Sequence, residues 1–139
     1  MADSNNEIII EAKVDKLDEV ISFIDSVLET AGCSMKTQIQ IDVAVEEIFV
    51  NIANYAYDYD GGMATVRINI DDCTKRVEIT FIDEGIPYNP LERTDPDVTL
   101  SVEERPIGGL GVYMVKKSMD EVTYDYREGK NILTIIKEL

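Results

Sequence analysis

The stretch that decides the fold is VAVEEIFVNIANYAYD, residues 43–58. Its apolar side chains cover most of the circumference of a helix, which is typical of a buried helix. Polar residues nevertheless recur on one helical face: Glu47, Asn51, Asn54 and Asp58. Burying a carboxylate and carboxamides costs on the order of several kcal/mol unless partners satisfy them. A stripe facing water is the alternative, but the wide apolar arc favours a cleft that holds a ligand or a metal ion.

A second motif is FIDEGIPYNP, residues 81–90. Asp83 comes at the end of a predicted strand, and Gly85 follows where a glycine lets the backbone turn tightly or approach a ligand closely. A carboxylate in this place can accept a hydrogen bond from an exocyclic amine. Taken alone, an aspartate and a glycine at this spacing most often mark an ordinary strand exit.

A third motif, GGLG at residues 108–111, is predicted to open a helix that runs to about Met119. Small residues at a helix start let backbone N–H groups and the positive end of the helix dipole face a phosphate. The motif matches neither the Walker loop nor the dinucleotide-binding fingerprint. By itself it is weak support for a phosphate site.

Periodicity along the rest of the chain predicts an α+β protein. Asp15 and Ser34 are the expected N-caps of the first two helices. The predicted strands cover residues 7–13, 64–70, 77–81, 122–126 and 132–137, and the predicted helices cover residues 15–32, 34–57 and 108–119. We expect one domain, residues 1–139, built as a two-layer α/β sandwich with helices on one face of a mixed, mostly antiparallel sheet.

Composition excludes several chemistries. The chain has no histidine, so a Ser-His or Cys-His nucleophile pair, a His-ligated zinc ion and a phosphohistidine are ruled out. The formal net charge of −15 argues against nucleic acid or an anionic membrane as the main partner. An anionic small ligand would have to be held by local dipoles, a metal ion and a few placed cations.

Cysteine usage and the N-terminus predict a soluble cytoplasmic protein. Cys33 and Cys73 are far apart in sequence and are expected to be unpaired thiols in a reducing compartment. Residues 1–7 are polar and acidic, unlike a signal peptide. The longest uncharged run, residues 48–57, is far below the ~20 residues needed to span a bilayer.

The three motifs in this order resemble the Bergerat (GHKL, histidine-kinase-like) ATP-binding fold. Within that superfamily the sequences AVEEIFVN (residues 44–51), DEGIPYNP (83–90) and GLG (109–111) look like the anti-sigma-factor serine/threonine kinases of bacterial partner-switching systems, which regulate transcription. The resemblance covers essentially the whole chain. It implies ATP and Mg²⁺ as cofactors, with a mobile lid at about residues 91–107.

The resemblance also implies roles for individual residues. Glu47 would be the general base or orienting carboxylate, and Asn51 would ligate Mg²⁺, with Asn54 among the nucleotide-binding residues of the same face. Asp83 would accept from the adenine amine, and Gly85 would leave room for the base. Backbone N–H donors to phosphate would come from Gly109, Leu110 and Gly111. A cation near the terminal phosphate would come from Arg105.

Two departures from the family pattern are visible. Tyr55 stands where many relatives have a histidine, which leaves that contact open. The threonine that the family carries on a late strand could correspond to Thr134, but the register there is not fixed by sequence. Glu46 lies beside Glu47, and only Glu47 is four residues before Asn51, so the catalytic role is assigned to Glu47.

The implied function is transfer of the γ-phosphoryl group of ATP to a serine or threonine of a small antagonist protein, with sequestration of a sigma factor or other regulatory partner. An ATP-binding module that sequesters its partner without significant kinase activity is the alternative, and the presence of Glu47 favours the kinase. A stand-alone histidine-kinase-like ATPase is weakened by the absence of a phosphoacceptor histidine. Relatives often dimerise, and the sequence leaves a homodimer open.

Overall fold

The chain forms one five-stranded sheet and three α-helices, as seen in a computed structural model that describes residues 6–57, 61–92 and 110–139. The strands are β1 (Asn6–Glu11), β2 (Met63–Asp71), β3 (Arg76–Asp83), β4 (Glu121–Arg127) and β5 (Lys130–Glu138). The helices are α1 (Leu17–Thr30), α2 (Met35–Tyr55) and α3 (Leu110–Ser118), with short 3₁₀ turns at Val14–Lys16 and Pro90–Glu92. Each predicted strand and helix is therefore confirmed, with shifts of a few residues at the ends.

The strand order is β1-β2-β3-β5-β4, and neighbouring strands pair antiparallel throughout. Side chains alternate between the two faces, so Val66 and Ile68 of β2 are buried under the helices while Arg67 between them is exposed. The predicted α+β sandwich is confirmed. Its sheet was expected to be mixed and mostly antiparallel; the pairings among the described strands are all antiparallel.

The core lies between the helices and one face of the sheet. α1 contributes Val20, Ile24 and Leu28 at a spacing of four residues, all with no exposed surface. Phe49 of α2 and Phe81 of β3 are the largest fully buried side chains. Each buried side chain of this size stabilises the fold by about 1.5–3 kcal/mol, so this contact surface fixes α2 over the sheet.

The two predicted N-caps have different outcomes. The Ser34 side chain accepts a hydrogen bond from the Thr37 backbone N–H at 3.3 Å, so Ser34 is confirmed as the N-cap of α2. Asp15 is not the N-cap of α1, because it lies inside the preceding 3₁₀ turn and Lys16 occupies the cap position. The turn already satisfies the early donors through the Leu17 N–H bond to the Val14 carbonyl, so no side-chain cap forms.

The prediction that α2 is buried around most of its circumference is wrong for its outer side. Ile41 and Val45 have no exposed surface, whereas Met35, Ile39 and Val43 on the outer side are exposed. The reason is position: α2 lies in the outer layer, and no described element covers its outer side.

A pair of carboxyl groups lies between α1 and α2. Asp25 of α1 and Asp42 of α2 lie close together, and the Oδ1 atom of each is buried without a hydrogen-bond partner among the described residues. Burial, the adjacent Asp25 and then Glu29 raise the pKa of Asp42 to about 7.

The two cysteines match expectation. Cys33 is half-buried and Cys73 is exposed, and both are free thiols as predicted. Among the described residues, no helix is both long enough and apolar enough to cross a membrane.

Candidate functional site

A cleft opens between α2, α3 and the end of the sheet. Its walls are mostly apolar, with Ile48, Phe81 and Val115 among them. Polar side chains line it from several elements: Glu47, Asn51 and Tyr55 from α2, Asp83 from β3, Tyr88 from the loop after β3, Tyr124 from β4 and Asn131 from β5. An apolar cleft with a few convergent polar groups is the usual form of a small-molecule site.

Glu47 and Asn51 lie one helical turn apart and both line the cleft. Glu46, by contrast, is exposed and is not part of the lining, which agrees with the preference for Glu47. Asn54 is also exposed and outside the lining, so its contact with a nucleotide stays a prediction. Tyr55 lines the cleft with 55% of its surface exposed.

Asp83 ends β3 at the floor of the cleft and is 5% exposed. Its Oδ1 atom accepts hydrogen bonds from the Gly85 backbone N–H and from Asn131 Nδ2, each at 2.9 Å. Because both donors fall on Oδ1, the carboxylate is held in one orientation. Oδ2 receives no donor from the described residues, so it is the oxygen available to a ligand N–H.

Asn131, which sequence reasoning missed, is the hub of this floor. It is 6% exposed and pairs in register with Asp83 across β3 and β5. Besides Asp83, its Nδ2 donates to the Ile86 carbonyl at 2.9 Å. Its Oδ1 accepts from the Tyr88 N–H at 3.2 Å and from the Tyr124 hydroxyl. Through these hydrogen bonds, Asn131 fixes the position of Asp83 and of residues 86–88 in the loop after β3.

The signal that could have identified Asn131 is the alternation of β5. The predicted strand began at Ile132, but Leu133 and Ile135 are the inward-facing residues, and the same period of two points Asn131 inward. Thr134 consequently lies on the outer face of the sheet. Its Oγ1 is 3.4 Å from Oγ1 of Thr80, and it does not line the cleft.

Tyr57 is a second residue that sequence reasoning missed. Its hydroxyl donates to the Met63 carbonyl at 2.6 Å and accepts from the Glu84 N–H at 2.7 Å. Burial raises the pKa of the Tyr57 hydroxyl, which therefore stays protonated as the donor this clamp needs. Tyr57 thus ties the end of α2 to β2 and to the turn after Asp83.

Gly85 is packed against the end of α2. A Cβ atom at Gly85 would lie 2.1 Å from the Ala56 carbonyl oxygen, and the same oxygen accepts the Ile86 N–H at 3.0 Å. Only glycine allows this approach. Its immediate neighbour is thus the backbone of residue 56, and the expected role of making room for adenine stays a prediction.

The remaining predicted site residues lie at the start of α3 or outside the described residues. Arg105 and Gly109 lie outside them, as does the expected lid apart from residues 91 and 92. The backbone of α3 begins at Leu110, followed by Gly111, and Val112 lines the cleft. The N-terminal end of α3 therefore lies beside the cleft.

Comparison with known proteins gives the family. The profile of the histidine kinase-like ATPase domain matches residues 10–137. The serine-protein kinase RsbW of Bacillus cereus (strain ATCC 10987 / NRS 248) is 30% identical over 134 residues, which is 89% of this chain and 81% of that protein. The serine/threonine-protein kinase BtrW of Bordetella bronchiseptica is 24% identical over 102 residues, covering 73% of this chain and 71% of that protein.

A solved structure supports the same fold. The crystal structure of the RsbU and RsbW domains of a Mycobacterium tuberculosis protein matches 98% of this chain with a TM-score of 0.70, at 17% identity. This chain spans 32% of that solved chain. The expected resemblance to anti-sigma-factor serine/threonine kinases is confirmed by these findings, and the chain belongs to the histidine kinase-like ATPase domain family.

Proposed function

We propose that this protein is a Mg-ATP-dependent serine/threonine protein kinase of the anti-sigma-factor type. It would phosphorylate a small antagonist protein and sequester a regulatory partner such as a sigma factor. The observation that carries the proposal is that Glu47, Asn51 and Asp83 line one cleft in a chain similar to named serine-protein kinases.

The floor of the cleft fits a purine with an exocyclic amine. Asp83 is oriented by the bonds to its Oδ1, and Oδ2 can accept one N–H from the base. The apolar walls, including Ile48 and Phe81, suit a flat ring. A fixed acceptor favours adenine over guanine, which presents an acceptor oxygen at the corresponding ring position.

The α2 wall fits a hard divalent cation. The Asn51 side-chain carbonyl is an oxygen ligand of the kind Mg²⁺ takes, and Glu47 brings a carboxylate one turn away. When bound, Mg-ATP would supply the phosphoryl group and the cation that offsets its charge. With no histidine in the chain, Glu47 is the group we assign to orient the attacking hydroxyl and accept its proton.

The other predicted residues complete the proposal. The N-terminal end of α3, from Leu110 and Gly111 with Gly109 before it, would offer backbone N–H groups to phosphate. Arg105 would reach the terminal phosphate from the lid. These contacts would hold a polyphosphate in a protein whose formal net charge is −15.

The second candidate function is an ATP-binding module that sequesters its partner without significant transfer. Glu47 distinguishes the two, because a module that only binds ATP does not need a carboxylate at this point of the cleft. The orientation of Glu47 into the lining supports the kinase.

The test combines ATP titration with transfer from γ-labelled ATP to a candidate antagonist protein. Asn51→Ala should lose Mg-dependent nucleotide binding, whereas Glu46→Ala, at an exposed α2 position outside the lining, should leave the affinity unchanged. Glu47→Gln should bind ATP and lose transfer, with Glu78→Gln on an exposed strand position as the matched control. ATP affinity unchanged in Asn51→Ala would remove the metal assignment.

A further inference from the structure

The outer face of α2 carries an exposed apolar row. Met35, Ile39 and Val43 follow one another at intervals of four residues and are 78%, 56% and 43% exposed. At this spacing they form a continuous strip along one side of the helix. We call these residues the α2 row; none of them lines the nucleotide cleft.

The neighbouring helix shows that packing does not require such a row. α1 lies in the same layer, and its exposed positions are polar: Asp18, Glu19, Ser22, Ser26, Glu29 and Thr30. Its apolar side chains face the core, as expected of a surface helix. α2 instead has apolar side chains on both its core side and its outer side, and an exposed apolar strip of this kind marks an interaction surface.

The charges near the α2 row indicate which kind of partner would dock on it. Among their exposed positions, α1 carries Asp18, Glu19 and Glu29 with no lysine or arginine, and α2 carries Glu46 and Lys36. A second copy docked through this face would bring the carboxylates against each other. Anionic lipid would be repelled in the same way. A partner surface that carries both apolar side chains and lysine or arginine is complementary to this face of α2.

We propose that the α2 row docks a basic amphipathic helix of a protein partner, with its apolar side chains against Ile39 and Val43 and its cations facing Glu46. Helix-on-helix docking suits a straight apolar strip with spacing of four residues. The surface lies outside the cleft, so the proposal stands or falls independently of kinase activity.

A synthetic helical peptide tests the surface directly. The probe is a Leu/Lys peptide of about 18 residues, five helical turns, with all leucines on one face; a Leu/Glu peptide with the same leucines is its counterpart. Titrated into the full chain, the Leu/Lys peptide should shift backbone amide signals of residues 35–50 and bind more weakly as salt rises. The double variant Ile39→Ser/Val43→Ser should weaken binding about tenfold.

Matched variants make the result decisive. Ile9→Ser removes an isoleucine that is 61% exposed on the other face of the sheet and should leave the affinity unchanged. Glu46→Lys should weaken the Leu/Lys peptide and strengthen the Leu/Glu peptide. Circular dichroism checks that each variant keeps its fold.

Four results would overturn the proposal. Equal affinity of the Leu/Lys peptide for the wild type and the double variant would show that the row is not the docking surface. An equal loss of peptide affinity in Ile9→Ser would show that the effect is not specific to the α2 row. If the wild type bound the Leu/Glu peptide as tightly as the Leu/Lys peptide, the proposal that the partner helix is basic would be wrong. If sedimentation showed that the wild type is a dimer and the double variant is a monomer, the α2 row would be the interface with a second copy of this chain.

Discussion

Replacing Asn131 by leucine tests the floor of the cleft. The change keeps the side chain close to its size and removes both the amide donor and the carbonyl acceptor. Asp83 loses one of its two donors and the Ile86 carbonyl loses the Asn131 donor, while the Tyr88 N–H and the Tyr124 hydroxyl lose the Asn131 acceptor. Each of these groups has then lost a hydrogen bond in a largely buried site.

The magnitude follows from those bonds. A hydrogen bond of this kind contributes about 1 kcal/mol net, and a buried group left unpaired costs about 1–3 kcal/mol. Water entering the open cleft will satisfy part of the loss, so we expect the free energy of unfolding to fall by about 3 kcal/mol. For a chain of this length that corresponds to a melting temperature lower by roughly 10 °C.

The same change should weaken ATP binding. Asp83 loses one of the two donors that orient its carboxylate, so its Oδ2 no longer meets the base in a fixed direction. We expect the ATP dissociation constant to rise at least about tenfold, a loss of about 1.4 kcal/mol. Urea unfolding and calorimetric titration with Mg-ATP, under conditions where the variant remains folded, measure the two effects separately.

Thr134→Val is the matched control. It lies three residues further along β5, on the outer face, where its hydroxyl meets Thr80 at 3.4 Å. We expect it to cost less than about 1 kcal/mol in stability and to leave ATP affinity unchanged. Wild-type stability and wild-type ATP affinity in Asn131→Leu would refute the role of Asn131 as the hub of the floor.

Three other changes probe different parts of the fold. Asp42→Asn tests the raised pKa of Asp42: this pKa is raised from 3.8 to about 7, so wild-type stability should fall as pH rises between those values, and the variant should show a smaller fall in pH-dependent urea midpoints. Gly85→Ala should lower the free energy of unfolding by about 1–3 kcal/mol because its Cβ meets the Ala56 carbonyl, and an unchanged urea midpoint would contradict that packing. Ser34→Ala should cost about 1 kcal/mol in the same assay, and no loss would mean the cap is not stabilising.

Local patterns were enough to predict the elements and one wall of the cleft. The period of two in β2 and β3, and the spacing of Glu47 and Asn51 on α2, depend only on residues close in sequence. Asp83 was found because a strand end and a glycine two residues later are also local.

Asn131 and Tyr57 could not be found in this way. Asn131 acts through its register with Asp83, which is 48 residues away in sequence. Tyr57 acts through Glu84, 27 residues away. The burial of the outer side of α2 was predicted wrongly for a related reason: the sequence shows that the helix is apolar around most of its circumference, but only the layer arrangement shows which side is left uncovered.

Phosphoryl transfer is the measurement that tests the central claim most directly. Wild type and Glu47→Gln are incubated with γ-labelled ATP, Mg²⁺ and a candidate antagonist protein, and the label on a serine or threonine of that protein is quantified by mass spectrometry. The kinase proposal predicts labelling by the wild type and loss of labelling in Glu47→Gln with ATP binding retained. Equal labelling by both would contradict the role of Glu47, and ATP binding by the wild type without labelling of any antagonist tested would favour the sequestering module.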